Sequence, residues 1–126
     1  MAIVNDARPK VVLFVAHWCP HCRREVPALA KRLSTNGEPP GVDLYTVATG
    51  TTPDRSNYPP SAWLEREGWT VTTMADDNNG RVADAFGLSA YPFFVAIDNS
   101  GKVVARASGE LSIPSFERLL DLARGV

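Results

Sequence analysis

The stretch VVLFVAHWCPHC, residues 11–22, decides the fold of this chain. Its first half, Val11–Ala16, is a continuous apolar run that predicts a strand buried on both faces in a parallel or mixed sheet. The second half holds the only two cysteines, Cys19 and Cys22, where the strand is followed by a helix. Because a helix start offers unpaired backbone N–H groups and partial positive charge, it stabilises a thiolate at Cys19. The stretch therefore predicts a redox-active cysteine pair.

Strand and helix patterns alternate along the rest of the chain. Apolar residues recur at helical spacing from the cysteines to Asn36, and Pro27 lies inside this predicted helix, where it should bend the axis. The other predicted elements are strands at 43–48, 93–97 and 102–107, an extended stretch at 69–74, short helices at 61–67 and 79–86, and a final helix between Ser112 and Gly125. This order predicts an α/β fold.

The size and charge of the chain exclude several classes of protein. Its 126 residues, 44% of them hydrophobic, predict a single domain over residues 1–126. With 13 basic and 14 acidic side chains the net charge is -1, which argues against nucleic acid or an anionic membrane as the main partner. No apolar run approaches the ~20 residues that span a bilayer, and residues 1–6 lack the layout of a secretory signal. We expect a soluble monomer, and an N-terminal anchor in a longer protein stays open.

A metal site and a structural disulfide are the alternatives to a redox pair. Zinc requires four ligands, and adding His17 and His21 to the cysteines would crowd all four into six residues, which is a poor arrangement for a tetrahedral ion. A structural bridge between Cys19 and Cys22 would close a very short loop, and a strained, exposed bridge is easily reduced. We therefore expect no metal, and no cofactor other than the redox-active disulfide itself.

Two motifs carry a resemblance to a known superfamily. The motif WCPHC at residues 18–22, together with Tyr91-Pro92 before the predicted hairpin, resembles the thioredoxin superfamily. The run CRREVP at residues 22–27 is similar to the signature of TlpA/ResA-type thiol–disulfide oxidoreductases, in which a glutamate and then a proline follow the second cysteine. The resemblance implies a thioredoxin fold with a mixed central β-sheet flanked by helices on both faces. It also implies a short helical insertion after the second strand, at about residues 49–75.

The resemblance also implies a role for each residue around the cysteines. Cys19 is the attacking thiol, and Cys22 resolves the mixed disulfide that results. Pro92 is implied to be cis and to face the cysteines across a substrate groove, which Trp18 and Tyr91 line. An ordinary trans proline and a core-packed tryptophan are the structural alternatives for Pro92 and Trp18.

Pro20 and His21 are expected to tune the pair, and Glu25 is expected to act with the cysteines as a catalytic residue. Pro20-His21 is the dipeptide of the oxidant DsbA, and His21 is expected to stabilise the Cys19 thiolate, which would make the disulfide more oxidising. Its alternative is an exposed histidine of little effect. Glu25 is expected on the cysteine side of the helix, partly buried with a raised pKa, as a proton donor or acceptor. A solvated carboxylate paired with Arg24 is the alternative.

The function implied is thiol–disulfide exchange with protein substrates. An upstream redox partner would exchange electrons with the cysteine pair. TlpA/ResA-type proteins are extracytoplasmic, so we expect a periplasmic or cell-envelope domain, tethered to a membrane, that reduces clients such as apocytochromes in cytochrome c maturation. Two other functions stay open, which are a DsbA-like oxidant and a non-catalytic protein-binding module that uses the groove. A peroxiredoxin is disfavoured because its threonine and proline before the peroxidatic cysteine are not found before Cys19.

Overall fold

The computed structural model describes residues 6–126. Residues 1–5, which belong to the segment assessed for a secretory signal, lie outside the described residues. The helices and strands follow one another as β1 (Lys10–Val15), α1 (Pro20–Asn36), β2 (Asp43–Ala48), α2 (Pro60–Arg66), β3 (Thr72–Ala75), α3 (Arg81–Ala85), β4 (Phe93–Ile97), β5 (Val103–Ser108) and α4 (Ile113–Arg124). Within this part of the chain no helix has the length and apolar character needed to cross a bilayer.

The strands form one mixed sheet in the order β3-β2-β1-β4-β5. β1 pairs in parallel with β2 and antiparallel with β4, so that Leu13 lies between Thr46 and Phe94. β3 is parallel to β2 at one edge, and β5 is antiparallel to β4 at the other. The predicted mixed central sheet is confirmed, and the chain leaves its central strand β1 directly into the cysteine motif.

Both faces of the sheet are covered, because all six side chains of β1 are buried. Val11, Leu13 and Val15 pack into a cluster to which α1, α2 and α4 contribute, and both cysteines belong to this cluster. Val12 and Phe14 point to the other face, where α3 contributes Ala83. The prediction of helices on both faces is confirmed, with the short helix α3 on the second face.

The predicted boundaries hold where local signals are strong. The strands at 43–48 and 93–97 and the helix ended by Gly125 have the predicted bounds. The predicted helix at 79–86 is shorter, because the Asp77 carboxylate accepts the N–H groups of Asn79 and Arg81 and holds the residues before α3 in a turn. The stretch predicted as extended at 69–74 supplies β3, and segment 49–75 contains α2 as well.

Candidate active site

The two cysteines occupy the first turn of α1. Cys19 is the N-cap residue with extended backbone (φ -72°, ψ 124°), and Pro20 follows at the first helical position, where its missing N–H costs no hydrogen bond. Both thiols are free and buried, with Cys19 6% exposed and Cys22 0% exposed. The structure therefore places Cys19 nearer the surface, although both sulfurs are more enclosed than an exposed nucleophile would be.

Cys22 is held in its thiol form. Burial raises its pKa well above the usual range, while a backbone hydrogen bond at Ala16 opposes the shift, and the nearby Cys19 and Glu25 add to it. A thiol in this state does not attack until a proton acceptor is available. Cys22 is thus suited to act second, after a disulfide has formed on Cys19.

Glu25 is buried one turn further along α1. Its side chain is 2% exposed, and its carboxylate accepts a hydrogen bond from the backbone N–H of Leu111 in the β5–α4 connection. Burial raises its pKa, while the Leu111 hydrogen bond opposes the shift. The arrangement differs from the solvated pair with Arg24, whose guanidinium contacts Glu110 instead. Proton transfer by Glu25 stays a prediction.

The structure gives His21 two partners that the sequence did not predict, and its effect on the Cys19 thiolate stays a prediction. The imidazole is exposed, with its Nδ1 2.8 Å from Oε2 of Glu110 and 2.8 Å from Nη2 of Arg24. Glu110 lies 89 residues further along the chain, in the connection between β5 and α4 that folds over the start of α1. Sequence reasoning missed Glu110, because no local pattern signals a partner at that separation.

Trp18 and Tyr91 form one wall beside the cysteines. Their rings meet edge to face, with centroids 5.7 Å apart, and the Trp18 Nε1–H donates to the carbonyl oxygen of Gly50 at 2.8 Å. The guanidinium of Arg55 lies 4.2 Å above the Trp18 ring. The Tyr91-Pro92 peptide bond is cis. Trp18 and Tyr91 therefore pack together next to the loop that follows β2, whereas Pro92 is buried and its place across a groove from the cysteines stays a prediction.

A partly buried carboxylate that the sequence analysis did not single out supports this wall. Asp76 accepts hydrogen bonds from the Thr49 hydroxyl at 3.0 Å and from the N–H groups of Val82 and Ala83. Partial burial opposes ionisation, but these hydrogen bonds hold the pKa of Asp76 below its usual value. Thr49 is in turn a hydrogen-bond partner of Tyr91, whose pKa is raised by burial. Asp76 thus ties α3 to the loop behind Tyr91.

His17 has a structural role in this arrangement. It is 1% exposed, its Nδ1–H donates to the carbonyl oxygen of Ser56 at 2.6 Å, and its Nε2 accepts from the N–H of Thr52 at 3.1 Å. Both ring nitrogens are therefore occupied by the loop between β2 and α2. His17 fastens that loop to the end of β1 and is not available as a metal ligand beside the cysteines.

Of two neighbouring cavities, one is lined by Tyr91, and neither is lined by a cysteine. The smaller, of about 290 Å³, is bounded by Gly50, Asp84 and Tyr91. The larger, of about 660 Å³, lies between α2 and β3 and is mostly apolar. They share lining residues, so the surface next to Tyr91 continues toward α2.

The comparison with family models decides the classification. A model described as Redoxin matches residues 4–120. The chain belongs to the Redoxin family. Among solved structures, the Redoxin domain is similar to a thiol:disulfide interchange protein, described as a thioredoxin family protein, from Chlorobium tepidum (TM-score 0.73, 23% identity, covering 94% of this chain and 81% of that one). StoA from Bacillus subtilis is also similar (TM-score 0.74, 15% identity, covering 90% and 83%). These likenesses confirm the predicted thioredoxin fold.

Two curated relatives are similar in sequence to this Redoxin chain. The thiol:disulfide interchange protein DsbE homolog of Paracoccus denitrificans is 36% identical over 102 residues, which is 81% of this chain and 51% of the relative. The thiol:disulfide interchange protein HelX of Rhodobacter capsulatus is 25% identical over 120 residues, which is 95% of this chain and 63% of the relative. The chain therefore spans between about half and two thirds of these relatives.

Proposed function

We propose that this Redoxin domain is a thiol–disulfide oxidoreductase that exchanges disulfides with protein substrates through Cys19 and Cys22. The observation that supports the proposal is the position of Cys19 at the start of α1, with the fully buried Cys22 one turn further along the same helix. The names of the two curated relatives, both thiol:disulfide interchange proteins, support it.

The exchange has two balanced steps. The Cys19 thiolate attacks one sulfur of a client disulfide, the client S–S bond breaks, and the second client sulfur leaves as a thiolate. Cys22 then loses its proton and attacks the Cys19 sulfur, so that the Cys19–Cys22 disulfide forms and the first client sulfur is released. The client gains two electrons, which an upstream reductant returns to the pair. Glu25 is the group suited to take the proton from Cys22, because it is buried nearby.

The direction proposed is reduction of clients outside the cytoplasm. The buried Glu25 and the resemblance to TlpA/ResA-type proteins favour a reductase of the periplasm or cell envelope, tethered in the full-length protein, with clients such as apocytochromes. The Pro20-His21 dipeptide favours the alternative, a DsbA-like oxidant. Equilibration with glutathione separates the two, because thioredoxin has a potential of about -270 mV and DsbA of about -120 mV. A potential near the second value would overturn the reductase proposal.

Reduction of insulin disulfides by dithiothreitol tests the activity itself. We expect the wild type to accelerate the reaction and Cys19→Ser to lose the acceleration. The matched variant Cys22→Ser keeps the attacking thiol, so it should instead accumulate a mixed disulfide with a client peptide, which mass spectrometry detects. If Cys19→Ser is as active as the wild type, or if the wild type gives no acceleration, the domain is a binding module and the proposal is wrong.

A further inference from the structure

We infer that Glu110 is a positioning residue for the cysteine pair, engaging Nδ1 of His21 on the side of the β5–α4 connection and so making the pair more reducing than its Pro-His dipeptide alone would. The inference rests on the proposed thiol–disulfide exchange and names a residue that regulates its direction. It depends on the contacts that the β5–α4 connection makes with the first two turns of α1.

Glu110 contacts two cationic or potentially cationic side chains of α1. Its Oε2 lies 2.8 Å from Nδ1 of His21 and 2.9 Å from Nη2 of Arg24, and Nε of Arg24 lies 3.1 Å from the same oxygen. The hydrogen bonds from Arg24 and then from His21 lower the pKa of Glu110 to about 2, so the carboxylate is ionised at neutral pH. One carboxylate therefore faces both side chains.

The His21 ring is oriented by these contacts in either of its protonation patterns. Nδ1 carries a proton and donates to Glu110, or it lacks one and accepts from Nη2 of Arg24, and both partners lie at 2.8 Å. Either way Nδ1 is engaged on the side of the β5–α4 connection. It is then not free to donate to the Cys19 thiolate.

The consequence for the cysteine pair follows from charge. A cation beside the Cys19 thiolate stabilises the reduced pair and makes the disulfide more oxidising. Arg24 lies near enough to interact electrostatically with Cys19, so the Glu110 carboxylate compensates a charge that would otherwise act there. Engaging Nδ1 of His21 removes one hydrogen-bond donor that could otherwise stabilise the Cys19 thiolate. Both effects lower the reduction potential.

The connection that carries Glu110 is fastened independently of that side chain. The next residue, Leu111, donates its backbone N–H to the buried carboxylate of Glu25. Two residues on, the Ser112 hydroxyl accepts the N–H of Ser115 at 3.2 Å and caps α4. Replacing the exposed Glu110 side chain should therefore change the surroundings of His21 without releasing the connection.

Reduction potentials of four proteins test the inference: wild type, Glu110→Gln, His21→Ala, and the double variant, each equilibrated with glutathione at pH 7. We expect Glu110→Gln to shift the equilibrium toward the reduced pair about tenfold, which is about 30 mV for a two-electron couple. The shift should be several-fold smaller in the His21→Ala background. No shift, or an equal shift in both backgrounds, would overturn the inference, because Glu110 would then act by its charge alone or not at all.

Two further variants make the result specific. Glu110→Asp keeps the charge but withdraws the carboxylate by one methylene, so it should shift the reduction potential in the same direction as Glu110→Gln. An unchanged potential would contradict a positioning role. This variant also tests the inference if Glu110→Gln fails to fold. Glu117→Gln removes another α4-side carboxylate, paired with Arg32 of α1 at 2.6 Å, and should leave the potential unchanged. If the wild type fails to accelerate insulin reduction while Glu110→Gln still shifts the potential, the proposed function fails and this inference stands.

Discussion

At the residue scale, Glu25 shows how burial changes the chemistry of one carboxyl group. The sequence predicted it on the cysteine side of α1, and the structure adds the reason for its raised pKa. The side chain is almost completely removed from water, and the hydrogen bond from the Leu111 N–H offsets this cost only in part. A carboxyl group in this state remains protonated to higher pH than an exposed one. This is the state that the predicted proton exchange with Cys22 requires.

We expect Glu25→Gln to change the pH dependence of stability. Because the folded-state pKa of Glu25 is raised above its ordinary value of 4.5, the wild type keeps the full contribution of this group below pH 4.5 and loses it as the pH rises through the folded-state pKa. The free energy of unfolding of Glu25→Gln relative to wild type should therefore rise with pH, by about 1.4 kcal/mol for each unit of the shift. Urea unfolding between pH 4 and pH 8 measures it. The exposed Glu38→Gln is the control, and a difference independent of pH would contradict the prediction.

At the scale of elements, the connections at the end of the sheet bring the site together. The loop after β2 supplies Gly50, whose carbonyl oxygen accepts from Trp18, and the loop before β4 supplies Tyr91. Gly50 has φ +62°, and a Cβ at that position would lie 3.0 Å from the Tyr91 hydroxyl oxygen and 3.6 Å from the Trp18 ring. Glycine is favoured at position 50 because its φ is positive and because a Cβ atom there would be too close to the Tyr91 hydroxyl oxygen.

We expect Gly50→Ala to lower the rate of insulin reduction in addition to lowering the free energy of unfolding. The left-handed backbone costs about 1–2 kcal/mol for a residue with a Cβ, and the close contact displaces the Tyr91 wall as well. Gly125→Ala is the control, because Gly125 has left-handed backbone (φ +86°, ψ 25°) but nothing within 4 Å of its Cβ position. Both variants should lose stability in urea, and only Gly50→Ala should lose rate. Equal rates in the two variants would show that the wall is not part of the substrate surface.

At the scale of the whole molecule, the segment after β2 shares the main core with the cysteines. Trp63 of α2 is 2% exposed in the same cluster as Cys19 and Cys22, and Trp69 donates its Nε1–H to the Thr46 hydroxyl of β2 at 2.8 Å. Because these contacts join the segment to the sheet, we expect residues 1–126 to unfold as one domain.

Trp63→Ala tests this cooperativity. Loss of so large a buried side chain should lower the free energy of unfolding by about 3–5 kcal/mol, while Val104→Ala, at a side chain 39% exposed, should cost far less. In both variants circular dichroism and the alkylation of Cys22 should report the same urea midpoint. An earlier loss of structure with Cys22 still protected would mean that the segment unfolds by itself, which contradicts a single domain.

Local patterns account for what could be predicted from the sequence. The bounds of β2, β4 and α4 follow from runs of apolar residues and from caps such as Ser112 and Gly125, all of which act within a few residues. The position of the cysteine pair at a helix start is equally local. The turn before α3 was not predicted, because residue spacing alone extends the helix back to residue 79. In the structure the Asp77 carboxylate accepts the N–H groups of Asn79 and Arg81 instead.

Local patterns and the resemblance they show were enough to predict the fold class, which is confirmed. The same patterns name Cys19 and Cys22 as the reacting pair and Trp18, Tyr91 and Pro92 as groove residues, and these roles stay predictions. Only the tertiary structure decided what surrounds them, namely that His21 lies against Glu110, that Glu25 binds the N–H of Leu111 and that His17 fastens a loop. The physical reason is distance along the chain. A helix start or a buried strand depends on neighbouring residues, whereas a contact across 86 or 89 residues exists only once the sheet has brought both segments to the same edge.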